Sequence, residues 1–188
     1  MFDQSRGAKR GPRRRSTAPA RGGSARQGGS ARQAKRPGGL SLRRLGGDAF
    51  ELVHPRCVLE RELDYQEGLD LWRAGDPESA CDALRYALQG CGDNLWVHVA
   101  LGRLALEHTH DPTLARGHFG YAYELALRAL PRGFGGRLPR DRPGNGPLYD
   151  AIDGLVACYE ALHKPREAAQ LRAQAARWCT AAGSETSP

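Results

Sequence analysis

The sequence predicts an all-α domain of three antiparallel helix-turn-helix hairpins behind a disordered basic leader. Three observations carry this. Beyond position 48, apolar residues recur at helical spacing, and no β-branched alternation of any length appears. Three prolines, Pro77, Pro112 and Pro165, each restart a helical pattern. Composition also divides the 188-residue chain in two. Residues 1–47 carry 13 Lys/Arg, one acid and 10 of the 24 glycines but only one of the 13 aromatics, whereas residues 48–188 carry 15 Lys/Arg against 20 acids.

Residues 1–47 hold too few large apolar groups to offset the entropy of ordering themselves, so a disordered tail is expected there. Arg13, Arg14 and Arg15 precede a repeated Gly-Gly-Ser-Ala-Arg-Gln at 22–27 and 28–33. Arginine forks onto phosphate, so the tail suits non-specific nucleic acid or another polyanion. The alternative is a solvated tail that aids solubility. A flexible C-terminus is expected over 181–188.

The helical domain is placed at 48–180. Its first hairpin pairs a helix over 57–73, with Leu59, Leu63, Tyr65 and Leu69, and a second begun by Asp76-Pro77, with Ala80, Leu84 and Ala87. Aspartate caps a helix and proline suits its first position, where its missing N–H would be unpaired anyway. The second hairpin pairs 94–107 with a helix opened by Asp111-Pro112, carrying Ala115, Phe119 and Ala122. The third pairs 148–162 with a helix opened by Lys164-Pro165, carrying Ala168, Arg172 and Ala175. Two alanines two turns apart let a neighbouring helix approach closely, and the large residue between them fills the gap. The third copy breaks that pattern at Arg172, as a terminal repeat with one wet face would.

The step from Ala80 to Ala115 is 35 residues and from Ala115 to Ala168 is 53, the excess falling in a basic loop insertion over 131–147. That loop carries Arg132, Arg137, Arg140, Arg142 and Phe134. It reads either as a flexible insertion, the favoured alternative, or as a phosphate-contacting segment.

Several chemistries find no support. No apolar run reaches the length of a membrane span, so no membrane partner is expected, and the basic N-terminus lacks the apolar segment of a secretory signal. Five cysteines without a CxxC pair read as reduced residues of a cytoplasmic protein, a disulfide framework being disfavoured. His54 with Cys57, and His108, His110 and His118, complete no four-ligand metal set. No nucleophile, phosphate-loop or dinucleotide motif occurs. No catalytic residue, metal or cofactor is therefore expected.

The repeating unit resembles the tetratricopeptide repeat, whose length is about 34 residues. Gly68, Gly75-Asp76, Ala80, Leu84 and Ala87 resemble its pattern in the first unit, and Leu101-Gly102, Ala115, Phe119 and Ala122 in the second. Leu155, Tyr159, Ala168 and Ala175 follow in the third. A generic helical bundle is the competing architecture. The resemblance implies a short α-solenoid whose first helices line a groove for a protein or peptide partner, with homodimerisation an option. The groove candidates are Tyr65, Leu69, Trp72 and Arg73, then Trp96, Val99 and Arg103, then Asp150, Asp153 and Glu160. Core positions are the alternative for Trp72 and Trp96. Aromatics at one end and acids at the other suit an apolar, basic segment. The expected function is a non-catalytic interaction scaffold. The alternative is a nucleic-acid-associated protein holding phosphate through the tail and the arginine loop.

Overall fold

A β-hairpin opens the structure, a computed structural model that describes residues 39–180. Strand β1 (Ser41–Gly46) pairs antiparallel with β2 (Ala49–Val53), Ser41 standing opposite Val53 and Gly46 opposite Ala49. The expected tail thus ends earlier than residue 47. Leu40 and Leu52 turn inward and are buried, while Arg43 pairs with Glu51 at 2.6 Å. The strands are short and β1 has no β-branched residue, so the alternation that marks a strand is faint.

Seven α-helices follow among the described residues: α1 (Cys57–Glu60), α2 (Glu62–Arg73), α3 (Pro77–Gly90), α4 (Leu95–Glu107), α5 (Pro112–Ala129), α6 (Gly146–Ala161) and α7 (Pro165–Cys179). The helix expected over 57–73 is two helices, broken at Arg61, whose φ of −111° and ψ of 17° leave the helical region. Asp76 caps α3 by accepting from Ser79 N–H, Asn94 caps α4 through Val97 N–H, and Asp111 caps α5 through Thr113 and Leu114 N–H.

The three hairpin turns share one backbone device. Gly75, His110 and His163 occupy equivalent places before the restart and take φ of 85°, 50° and 57°. Only glycine adopts this region without steric cost. His163→Gly is therefore expected to raise stability by about 0.5–1 kcal/mol, net of the entropy glycine adds to the unfolded chain. A rise in melting temperature checks it.

Helices α2 and α3, α4 and α5, and α6 and α7 pack as pairs, and α3 packs on α4, α5 on α6, and α4 on α6. Ala80, Ala87, Ala115, Ala122 and Ala168 are wholly buried at these crossings. Glycines make the tightest approaches. A Cβ on Gly68 would lie 2.7 Å from Leu84 Cγ, and one on Gly102 2.8 Å from the Phe119 ring. Gly154 of α6 meets the same ring at the same three atoms, its Cβ position 2.4 Å away. Phe119 is thus the bolt between α4, α5 and α6. Leu59 of α1 and Leu63 of α2, by contrast, stand 76% and 85% exposed.

The loop over 131–147, expected to be flexible, is built into the fold. Leu138 is buried, with its N–H donating to Trp178 O (2.9 Å) and its carbonyl accepting from the Tyr149 hydroxyl (2.5 Å). Phe134 packs edge-on against Phe50, ring centroids 5.3 Å apart. A 3₁₀ turn (Pro143–Asn145) then presents Asn145, wholly buried, to β2. Its Oδ1 accepts from Leu52 N–H, and its Nδ2 donates to the carbonyls of Phe50 and Pro139, all within 3.1 Å. Gly144 lets the turn come this close, since a Cβ there would lie 2.2 Å from Leu52 O.

Cys57 and Cys91 form a disulfide, their Cα atoms 5.4 Å apart, which corrects the expectation of five reduced cysteines. Cys81, Cys158 and Cys179 remain free thiols. The pairing joins α1 to the end of α3, two segments 34 residues apart that no spacing motif connects. Among the described residues no helix is long and apolar enough to cross a membrane.

Candidate functional site

Helices α2, α4 and α6, the first members of the three pairs, surround a cavity of about 310 Å³. Helix α2 supplies Tyr65, Leu69, Trp72 and Arg73, which share one face at spacings of four, three and one. Helix α4 supplies Trp96, Val99, Ala100 and Arg103, again at helical spacing, and α6 supplies Asp150. Trp72 and Trp96 are partly buried and line the cavity, Trp72 also packing against the core around Ala80 and Leu84.

The wall around Trp96 is braced from outside the helices. The His54 ring lies over it, centroids 4.0 Å apart, while His54 Nε2 meets Gly144 O at 2.8 Å. His54, just past β2, and the 131–147 loop thereby brace one edge of the cavity. At its opposite rim Arg103 pairs with Asp150 at 3.3 Å, both side chains about half exposed. Arg73 pairs with Asp70 at 2.5 Å. Burial pushes the Tyr65 phenol upward, so it stays neutral and presents an apolar ring.

The structure brings together eight of the ten sequence-derived groove candidates. The other two stand elsewhere. Asp153 pairs with Arg140, and Glu160 with Arg172 at 2.5 Å, both on exposed surface away from the cavity. The acidic stretch of the groove is therefore reduced to Asp150. A second acidic face is likewise served by its own arginines, Glu60 by Arg56 and Asp64 by Arg61.

The polyanion candidates divide differently. Arg13, Arg14 and Arg15 lie outside the described residues. Arg137 pairs with Asp48 at 2.9 Å, and Arg140 is held by Asp153 and lies 5.1 Å from the Tyr149 ring centroid. Arg132 and Arg142 are exposed. Two of the four loop arginines thus serve the fold.

No family model, no curated protein and no solved structure matches the chain. The site is carried by its own geometry. A larger cleft of about 870 Å³ lies between α5, α6 and α7; Tyr121, Tyr123, Tyr159 and three leucines line part of it, and long charged and amide side chains such as Arg116, Glu124, Glu167 and Gln170 line the rest. Those groups are already well solvated, and covering them yields little. The smaller cavity gathers two tryptophans beside Tyr65, and tryptophan, which the larger cleft lacks, is the residue most enriched among those that dominate binding energy. Among the described residues, no group of three or more His, Cys, Asp or Glu is placed to hold a metal ion.

Three histidines near these walls share one electrostatic state. His98 is buried, its Nε2 meeting Gly92 O at 3.0 Å, with the Tyr121 and His118 rings 4.6 and 6.0 Å away. Burial holds His54, His98 and His118 below their ordinary value of 6.5. The unfolded chain then binds protons that the folded one excludes, so stability rises with pH through this range and falls below about 6.5. Denaturant unfolding at pH 7.5 and 5.5 is expected to show the loss. His98→Gln is expected to shrink it.

Sequence reasoning weighed His54 only as a metal ligand and missed Asn145 and Gly154. Asn145 sits in a Pro-Gly-Asn-Gly-Pro run whose turn character is visible. Its partners on β2, more than 90 residues away, are not.

Proposed function

We propose that the chain is a non-catalytic interaction scaffold, a short tetratricopeptide-like solenoid whose first helices receive an extended peptide segment. One observation carries the reading: Tyr65, Trp72 and Trp96, from two hairpins, share a single accessible cavity with an ion pair at its rim. The pairing of successive helices and the small residues at their crossings support the solenoid. Partly exposed aromatic rings across such a seam present large contact area with a polar handle, which suits recognition. The polyanion reading has no comparable support, since Arg137 and Arg140 are engaged within the fold.

Panning a random peptide library over the full chain tests the proposal. Selected peptides are expected to lose about thirtyfold in affinity to Trp72→Ala, the scale of a central aromatic anchor. The variant's melting temperature serves as the folding control. Peptides that bind the variant as well as the native chain would contradict the proposal.

A further inference from the structure

The rim of the cavity already contains a cation, and its arrangement indicates what a ligand would bring. We propose that the groove takes a lysine or arginine side chain from an otherwise apolar segment, which displaces Arg103 from Asp150 and rests against Tyr65, Trp72 and Trp96. The inference rests on the groove reading and adds the chemistry of the guest.

Aromatic faces carry a negative quadrupole and attract cations, and Tyr65, Trp72 and Trp96 line this cavity beside the Asp150 carboxylate. Asp150 supplies the counter-charge. It has a short side chain on a firmly held helix, its neighbours Tyr149 and Ala151 being buried. Arg103 is the mobile partner, a long stem about half exposed, paired at 3.3 Å in a geometry of little net worth. Exchanging one cation for another on Asp150 therefore costs little, while a guest adds contact with the rings. The other rim cation, Arg73, already has Asp70 and calls for no ligand anion. At about 310 Å³ the cavity is at the small end of ligand sites, room for one long side chain of a peptide lying across the helices.

The test uses three short synthetic peptides of leucine, alanine and glycine that differ only at the centre: lysine, norleucine or glutamate. Each is titrated into the full chain while the indole N–H signals of Trp72 and Trp96 are followed by NMR. The lysine peptide is expected to bind about tenfold more tightly than the norleucine peptide. Asp150→Asn is expected to shrink that difference to what the rings alone supply, about threefold, while leaving the norleucine peptide bound. Arg103→Met, which removes the internal competitor, is expected to tighten the lysine peptide about threefold. Equal affinity for lysine and norleucine would overturn the cationic guest and leave the groove reading standing. Tightest binding of the glutamate peptide would overturn it too, by making Arg103 the anchor. Failure of all three peptides to move either indole signal would overturn both readings.

Discussion

Phe119→Ala is expected to lower the unfolding free energy by about 3–5 kcal/mol, the cost of emptying a large aromatic site in a close-packed core. Phe119 is 1% exposed and meets two glycines, Gly102 on α4 and Gly154 on α6. The ring fills space that any side chain at either glycine would claim. Gly154→Val should therefore also be destabilising, because its Cβ would fall within 2.4 Å of the ring. The two substitutions share one volume and should not add. Urea unfolding of the single and double variants is expected to show the pair costing well under the sum of the singles. Strict additivity would mean that the ring and the glycine do not meet, and the stacking of the second and third hairpins would have to be redrawn.

Removing the disulfide by Cys57→Ala with Cys91→Ala is expected to cost about 3–4 kcal/mol. This is the loop-closure entropy for a separation of 34 residues. The loss should centre on the first helical hairpin, since α1 and the end of α3 are what the bond ties together. Alkylation of the denatured, unreduced chain should label three of the five cysteines, Cys81, Cys158 and Cys179. Labelling of all five would remove the bond from the account. The pairing pulls against the cytoplasmic expectation, because disulfides persist mainly in oxidising compartments.

Helices were readable from the sequence because their signals are local. An aspartate-proline pair caps and starts a helix wherever it falls, and alanines seven residues apart mark a face that must be covered. The groove was readable for the same reason. Tyr65, Leu69 and Trp72 share a face of α2 by spacing alone, and Trp96, Val99 and Arg103 share one on α4. What stayed hidden depends on contacts between distant segments. Nothing near Asn145 announces that it will bind β2, and nothing near Cys57 selects Cys91 over three alternatives. Asp153 and Glu160 lie on α6 with Asp150, yet arginines from the loop and from α7 draw them away. Loop 131–147 looked dispensable because glycine and proline dominate it. Those residues are what allow its close approach to β2.

The central claim is that the concave seam of α2, α4 and α6, and not the wider cleft between α5 and α7, receives the partner segment. Amide chemical-shift mapping with a library-selected peptide decides between them. The account predicts shifts concentrated at Tyr65, Leu69, Val99, Arg103 and Asp150, together with the Trp72 and Trp96 indoles. Shifts concentrated instead at Tyr121, Leu127, Leu171 and Gln174 would place the binding surface on the other side of the molecule and contradict it.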